Sequence, residues 1–456
     1  MTLKNSLFGT WSFYKRFLAV AIPVMMQQLI QNLVSLIDNF MVAGLGDIKM
    51  SGVNIAGQIF FNFFVILNTI CASAGIFMSQ FKGAKKQSGM QQTFKFKLIV
   101  CGLCGIFFTI LCFIAPRNLF GLMVKNNSDA PEILDYTVLY SRAVALSWIF
   151  AILSQCIATS LREIEIVRPP LIISISATLV NTFLNWVLIY GNLGAPRLEV
   201  VGAAYATVIA RIVELIAFSI YAIRTKPEFL FKIKEFFHID FNLFGTIIKK
   251  SGMILYSEVF WAVSETISNA LYNTRGGAEV VSGMASGFAI ANLIFICMGG
   301  IVTSTGVIIG QELGANHIEE CKRYKNWILS GAVFMGIFFM FIGLSTTFLV
   351  NIVFNNLSSE SQTYARELII IASVYLPLWA FLNGQYAISR TGGDTTMGVL
   401  CDTVGNILFI GGMLILTFCT DFNPVLMYAI VKFSDLPKTL IAHFWLKKER
   451  WLVNLT

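Results

Sequence analysis

The feature that most constrains this chain is the recurrence of apolar runs long enough to cross a bilayer. They stand at roughly 15–42, 52–77, 93–115, 134–158, 167–190, 200–222, 247–272, 281–306, 324–350, 367–388, 397–419 and 424–446. A hydrocarbon layer ~30 Å thick is spanned by ~20 residues of helix. In lipid every backbone N–H and C=O must be satisfied inside the segment, which leaves helices or closed barrels. Runs of this length predict an all-α polytopic membrane protein of twelve transmembrane helices. Only 13% of the 456 residues are charged, against roughly 25% in soluble domains, and a soluble globule is excluded.

The connections between runs carry most of the basic residues. With both termini placed in the cytoplasm, 23 Lys and Arg fall on that side and six fall outside, at Lys49, Arg117, Lys125, Arg197, Arg275 and Arg366. That bias sets the orientation and predicts an integral protein of the plasma (inner) membrane, monomeric, with membrane lipid around it. The first run is expected to stay in the mature protein, because it is long and lacks a small-residue cleavage site. The net charge of +8 does not imply nucleic acid, because the basic residues form no patch interleaved with aromatics.

Nine cysteines, at 71, 101, 104, 112, 156, 297, 321, 401 and 419, mostly lie inside the runs. Neither a secreted disulfide framework nor a zinc ribbon fits. Cys101 and Cys104 have CxxC spacing without a nearby His, so helix packing is expected of them. No HExxH, DDxxD or phosphate-loop motif occurs, and the chain is expected not to be an enzyme and to need no cofactor.

Sliding the sequence by 231 residues lays Ser79-Gln-Phe-Lys-Gly83-Ala84 on Gly310-Gln-Glu-Leu-Gly314-Ala315. Helices 1–6 and 7–12 therefore read as two copies in the same orientation. The expected organisation is two six-helix bundles with pseudo-two-fold symmetry, at 1–222 and 247–456, joined by a cytoplasmic linker at 223–246. A central transport route between the bundles is implied.

The run Ile37-Asp38-Asn39-Phe40-Met41-Val42-Ala43-Gly44-Leu45-Gly46, the two Gln-containing repeats above, and Ser389-Arg390-Thr391-Gly392-Gly393-Asp394-Thr395 occur in an order and spacing that resembles the multidrug and toxic compound extrusion (MATE) transporters of the MOP flippase superfamily. The resemblance covers nearly the whole chain. It implies a secondary antiporter that exports bulky, mostly cationic compounds in exchange for H+ or Na+. It also implies that Asp38 protonation bends helix 1, with Pro23 as the bending point.

The residues support specific sites beside that resemblance. On helix 1, Gln27, Gln31 and Asp38 fall within about 40° on a helical projection, a polar stripe that ends in a carboxylate. A charge in a span is costly unless it faces protein or water, so Asp38 is expected to point inward. Pro23 removes one backbone hydrogen bond and permits a bend. Helix 5 carries Ser174, Thr178, Asn181 and Asn185 on one face. The DinF-like branch has an Asp where this chain has Asn185, which removes a titratable partner but leaves a carbonyl oxygen able to orient a carboxylate or ligate Na+. Helix 7 places Glu258, Glu265, Asn269 and Tyr272 within about 60°. The NorM-like branch has its helix 7 acid at Ala262 and its helix 10 acid at Trp379, so the Glu pair rests on the residues themselves.

The expected ion-coupling residues are thus Asp38, Asn181, Asn185, Glu258 and Glu265, with a Na+ site at Asp38 and Asn181 if Na+ is the ion. Gln27, Gln31, Asn269 and Tyr272 are expected to meet the cationic substrate. Arg211 with Glu214, and Lys432 with Asp435, are expected to neutralise each other at i,i+3; Arg142 and Asp402 have no evident local partner. The alternative function is a flippase for a lipid-linked saccharide, which would want Arg and Lys to receive pyrophosphate, and only Arg142, Arg211 and Lys432 are available.

Overall fold

The computed structural model describes residues 7–121, 129–275 and 277–456, and all regular structure among them is helical. The twelve spans are α1 Trp11–Ala43, α2 Asp47–Gly83, α3 Gln87–Ile114, α4 Ala130–Ala145 with Ser147–Glu163, α5 Arg168–Tyr190, and α6 Glu199–Thr225. They continue as α7 Phe241–Arg275, α8 Ala278–Ile294 with Ile296–Gly314, α9 Ile318–Ser345, α10 Ser359–Thr391, α11 Thr396–Cys419, and α12 Pro424–Val431 with Asp435–Lys447. The twelve-helix expectation holds. Several helices outrun their apolar windows. α2 begins at Asp47 and ends past Lys82, and α9 starts with Glu319 and Glu320 in its first turn. Hydropathy reads only the turns inside hydrocarbon, whereas the hydrogen-bonded ladder continues into the polar layer. The halves of α4 meet at 50°.

Two spans are less apolar than the rest. α7 carries Lys249, Lys250, Glu258 and Glu265, and α12 is interrupted by a 3-10 turn at Lys432–Ser434 and carries Lys432, Asp435 and Lys438. Large apolar side chains elsewhere, among them Phe107, Ile114, Ile223 and Phe418, are more than two-thirds exposed, as a surface solvated by lipid tails requires.

The chain forms two compact units. Unit one comprises Met1–Met25, Ser79–Lys85 and Lys249–Thr456; unit two comprises Met26–Met78 and Lys86–Ile248. α1 changes unit two residues beyond Pro23, which lies within the continuous helix.

In unit one the start of α1 is held by Phe13, whose ring centroid lies 4.8 Å from Tyr324 and 5.2 Å from Trp327, and by Arg16 on Glu312 at 3.1 Å. Small residues let the helices approach closely: a Cβ on Gly336 would stand 2.6 Å from Pro377 Cα. Tyr272, Met284, Leu368, Met413 and Tyr428 fill the core between α7, α8, α10, α11 and α12. The two copies of the repeat meet here. A Cβ on Gly83 would stand 1.8 Å from the Gln311 carbonyl oxygen, and one on Gly314 would stand 1.8 Å from that of Gln80. Gln80 Nε2 donates to Thr391 O at 2.9 Å, and its Oε1 accepts from Leu455 N at 2.7 Å, which ties the C-terminal segment to the repeat.

Unit two packs an aromatic core in which Phe63 stacks on Phe108 at 4.0 Å and meets Trp148 edge-on at 5.1 Å. The 223–246 segment is more than a tether. Phe229 is fully buried against Phe94 at 4.7 Å, and Lys95 Nζ donates to Glu235 O at 2.6 Å and His238 O at 3.0 Å.

Candidate functional site

Asp38, near the end of α1, is half-buried and meets α5 rather than the glutamines of its own helix. Asn185 Nδ2 donates to Asp38 Oδ1 at 2.9 Å. In the orientation that satisfies its neighbours, Asn181 Nδ2 donates to Asp38 Oδ2 at 3.0 Å, and Asn181 Oδ1 accepts from the Thr207 backbone N–H on α6 at 3.2 Å. Residues 181 and 185 are one helical turn apart, so both amides present to the same carboxylate. The buried Asn185 Oδ1 has no hydrogen-bond partner among the described residues. An orphaned carbonyl oxygen beside a carboxylate is chemistry that suits a small cation, whereas Asn181 in this orientation turns its amide nitrogen to Asp38 and its oxygen to Thr207. On α1, Gln27 is buried and Gln31 is exposed, so the polar stripe spans two environments.

In unit one both acidic residues of α7 sit beside cations. Glu258 Oε1 lies 3.0 Å from Arg390 Nη1, and the Arg390 guanidinium stands over the Tyr386 ring at 5.5 Å. Tyr386 donates to Asp402 Oδ1 at 2.8 Å, which supplies Asp402 with the partner that sequence did not reveal. Glu265 Oε1 lies 2.8 Å from Lys432 Nζ. The Lys432 ammonium also faces Phe409 at 4.6 Å, Tyr428 at 5.2 Å and Trp379 at 5.8 Å. The ammonium is thus held by one carboxylate and three aromatic faces, contacts of the kind that bind cations. Tyr272 is 3% exposed within the adjoining core, and its Oη has no hydrogen-bond partner among the described residues. The Asn269 side chain lies outside the described residues.

The i,i+3 pairing expected of Lys432 and Asp435 is replaced. Asp435 accepts from Trp379 Nε1 at 2.8 Å and pairs with Lys438 at 3.2 Å, leaving Lys432 directed at α7. The reason is tertiary: Trp379 and Lys438 take the two Asp435 oxygens, and Glu265 on α7 offers Lys432 a carboxylate of its own. Arg211 and Glu214 pair as expected at 2.7 Å, joined by Ser174 at 3.0 Å, and Arg142 donates to Phe113 O at 3.4 Å.

A further ion pair was hidden among the basic residues assigned to the cytoplasmic side. Lys97 is fully buried, with Nζ 2.5 Å from Glu163 Oε2 and 3.3 Å from Ser160 Oγ. Its position at the head of an apolar run is the only signal in the sequence; its partner, 66 residues on, is not readable there.

The MatE family model matches residues 23–187 and 254–413. Among relatives, the chain is 22% identical to the probable multidrug resistance protein NorM of Halalkalibacterium halodurans, over 71% of this chain and 70% of that one. It is 23% identical to the probable multidrug resistance protein YoeA of Bacillus subtilis, over 91% and 87%. Among solved structures, an outward-facing multidrug resistance MATE family transporter of the MOP superfamily superposes with a TM-score of 0.84 at 18% identity, covering 98% of this chain and 96% of that one. A MOP superfamily transporter from Pyrococcus furiosus gives 0.83 at 18% identity, covering 95% of each.

Proposed function

The chain belongs to the MatE family, and from that premise we propose that it is a secondary antiporter that exports organic cations, including drugs, in exchange for an inward ion gradient across the plasma membrane. The observation that carries this reading is the Asp38 cluster: one ionisable carboxylate in a span, held by Asn185 at 2.9 Å and Asn181 at 3.0 Å. An isolated charge at that depth is costly to retain, and a carboxylate that binds and releases a cation gives a reason to retain it. H+ is the simpler coupling ion, because Asp38 alone can carry it. The orphaned Asn185 Oδ1 favours a second version in which Na+ takes Asp38 and that amide oxygen together.

The substrate half rests on Glu265. An arriving ammonium group takes the place of Lys432 between the carboxylate and Phe409, Tyr428 and Trp379. Antiport then follows if ion and substrate favour different conformations. The saccharide-flippase alternative is less well supported, because Arg142, Arg211 and Lys432 each already face an acceptor. The test is uptake of a labelled organic cation into inverted vesicles with H+ and Na+ gradients imposed separately. Uptake driven by one of them and lost in Asp38→Asn is expected; uptake that ignores both gradients refutes antiport.

A further inference from the structure

Three cysteines from three helices converge inside unit two and share no residue with the Asp38 cluster. Cys71 on α2, Cys101 on α3 and Cys156 on α4 are each at most 1% exposed. Their Sγ atoms all lie within 4.8 Å of one another, and those of Cys71 and Cys101 are 3.6 Å apart. Cys104, which shares CxxC spacing with Cys101, is only partly buried and lies outside this group. Cys101 is presented by a π-helical turn, Lys97–Cys101. Such turns are rare and concentrate at functional sites.

We propose that Cys71, Cys101 and Cys156 form a three-thiolate site for a soft divalent d10 cation, of the class of Zn2+ and Cd2+. A metal–sulfur bond of ~2.3 Å puts the sulfurs of a trigonal site roughly 4.0 Å apart; the Cys71 and Cys101 sulfurs stand 3.6 Å apart and no pair in the group exceeds 4.8 Å. Thiolates select soft ions over Na+, Mg2+ or Ca2+, so this site does not compete for the coupling ion.

The charge balance also fits. Three thiolates and one divalent cation leave a single negative charge. The charges of Lys97 and Arg162 both act on Cys71, and with Glu163 bonded to Lys97 these three groups carry a single positive charge. The negative charge of the loaded site thus faces a net positive charge on these three groups, which offsets it in a low-dielectric interior. On binding, three S–H bonds break, three metal–sulfur bonds form, and three protons leave to water. No oxidant or reductant takes part.

The experiment titrates the purified, reduced full-length protein with cadmium chloride under anaerobic conditions. An ultraviolet thiolate-to-cadmium charge-transfer band that saturates at one equivalent is expected. Cys71→Ser, Cys101→Ser and Cys156→Ser should each raise the apparent Kd by on the order of tenfold or more, while Cys104→Ser leaves it unchanged. X-ray absorption of cadmium-loaded wild-type protein supplies a readout that does not depend on any variant folding, and a shell of three sulfurs is expected there. A shell of nitrogen and oxygen only, a band that survives all three substitutions, or folded wild-type protein that gives no band would each overturn the site and leave the cysteines as packing.

Discussion

Replacing Lys432 by Met keeps the aliphatic stem and deletes the charge. Glu265 then loses the ammonium that stood 2.8 Å away, in a pair whose side chains are 11% and 24% exposed. At an effective dielectric of ~20, two unit charges at that distance attract by about 6 kcal/mol. Desolvation of both groups offsets much of this attraction, and breaking a buried pair from one side costs ~3–5 kcal/mol. The partial exposure of Glu265 puts Lys432→Met near the lower end, about 3 kcal/mol, and removing the cation–π attraction adds ~0.5–2 kcal/mol. Glu265→Gln also breaks the pair, but it leaves the lysine among three aromatic faces and should cost less. The double variant removes both charges, and its cost should fall below the sum of the single costs by about 2 kcal/mol. Denaturation of the purified protein in mixed micelles measures all four corners of the cycle. Additivity within ~0.5 kcal/mol would refute the pairing. The same Lys432→Met protein carries a vacated carboxylate among aromatic rings, so it should bind a quaternary ammonium dye more tightly than wild type. Unchanged dye affinity would sink the idea that Lys432 occupies the cation's place.

Asp38→Asn keeps the side-chain volume and removes the ionisable group; gradient-driven efflux should vanish while expression and monodispersity persist, and retained coupled efflux would remove Asp38 from the mechanism. Impermeant thiol labelling of intact cells should miss Lys234→Cys and reach Arg197→Cys, and the reverse pattern would invert the topology. Gly83→Ala forces a methyl group to within 1.8 Å of a backbone oxygen and should cost ~1–3 kcal/mol by overpacking; Gly57→Ala, with nothing within 4 Å, is the control, and equal melting temperatures for the two would contradict the close approach.

Periodicity and hydropathy made the helices legible, because an apolar run of fixed length has one common solution in lipid. Single-helix arithmetic also picked out Asp38, Asn181, Asn185, Glu258 and Glu265 as ion-coupling candidates. It could not name their partners. Asp38 and Asn185 are 147 residues apart, Glu265 and Lys432 167, and Glu258 and Arg390 132, and which helices become neighbours is decided by tertiary packing. Lys432 shows how local arithmetic misleads: its i,i+3 neighbour Asp435 was the obvious partner, yet Asp435 is taken by Trp379 and Lys438 and the ammonium pairs with Glu265 on α7. The cysteine group was illegible for a similar reason. Its members come from three helices, and the one short spacing in the sequence singles out Cys104 instead.

The reciprocal packing of Gly83 on Gln311 and of Gly314 on Gln80 bears on ancestry. A chain of half this length, paired face to face with an identical copy, would make both contacts with one glycine and one glutamine, as any isologous interface does. One codon would then answer for both sides, and a change there would always strike twice. After duplication and fusion each half can drift alone, and neighbouring positions differ between the copies: Phe81 and Lys82 align with Glu312 and Leu313. The glycines have not been released, because the oxygen under each is a backbone atom that no substitution in the facing copy can shorten.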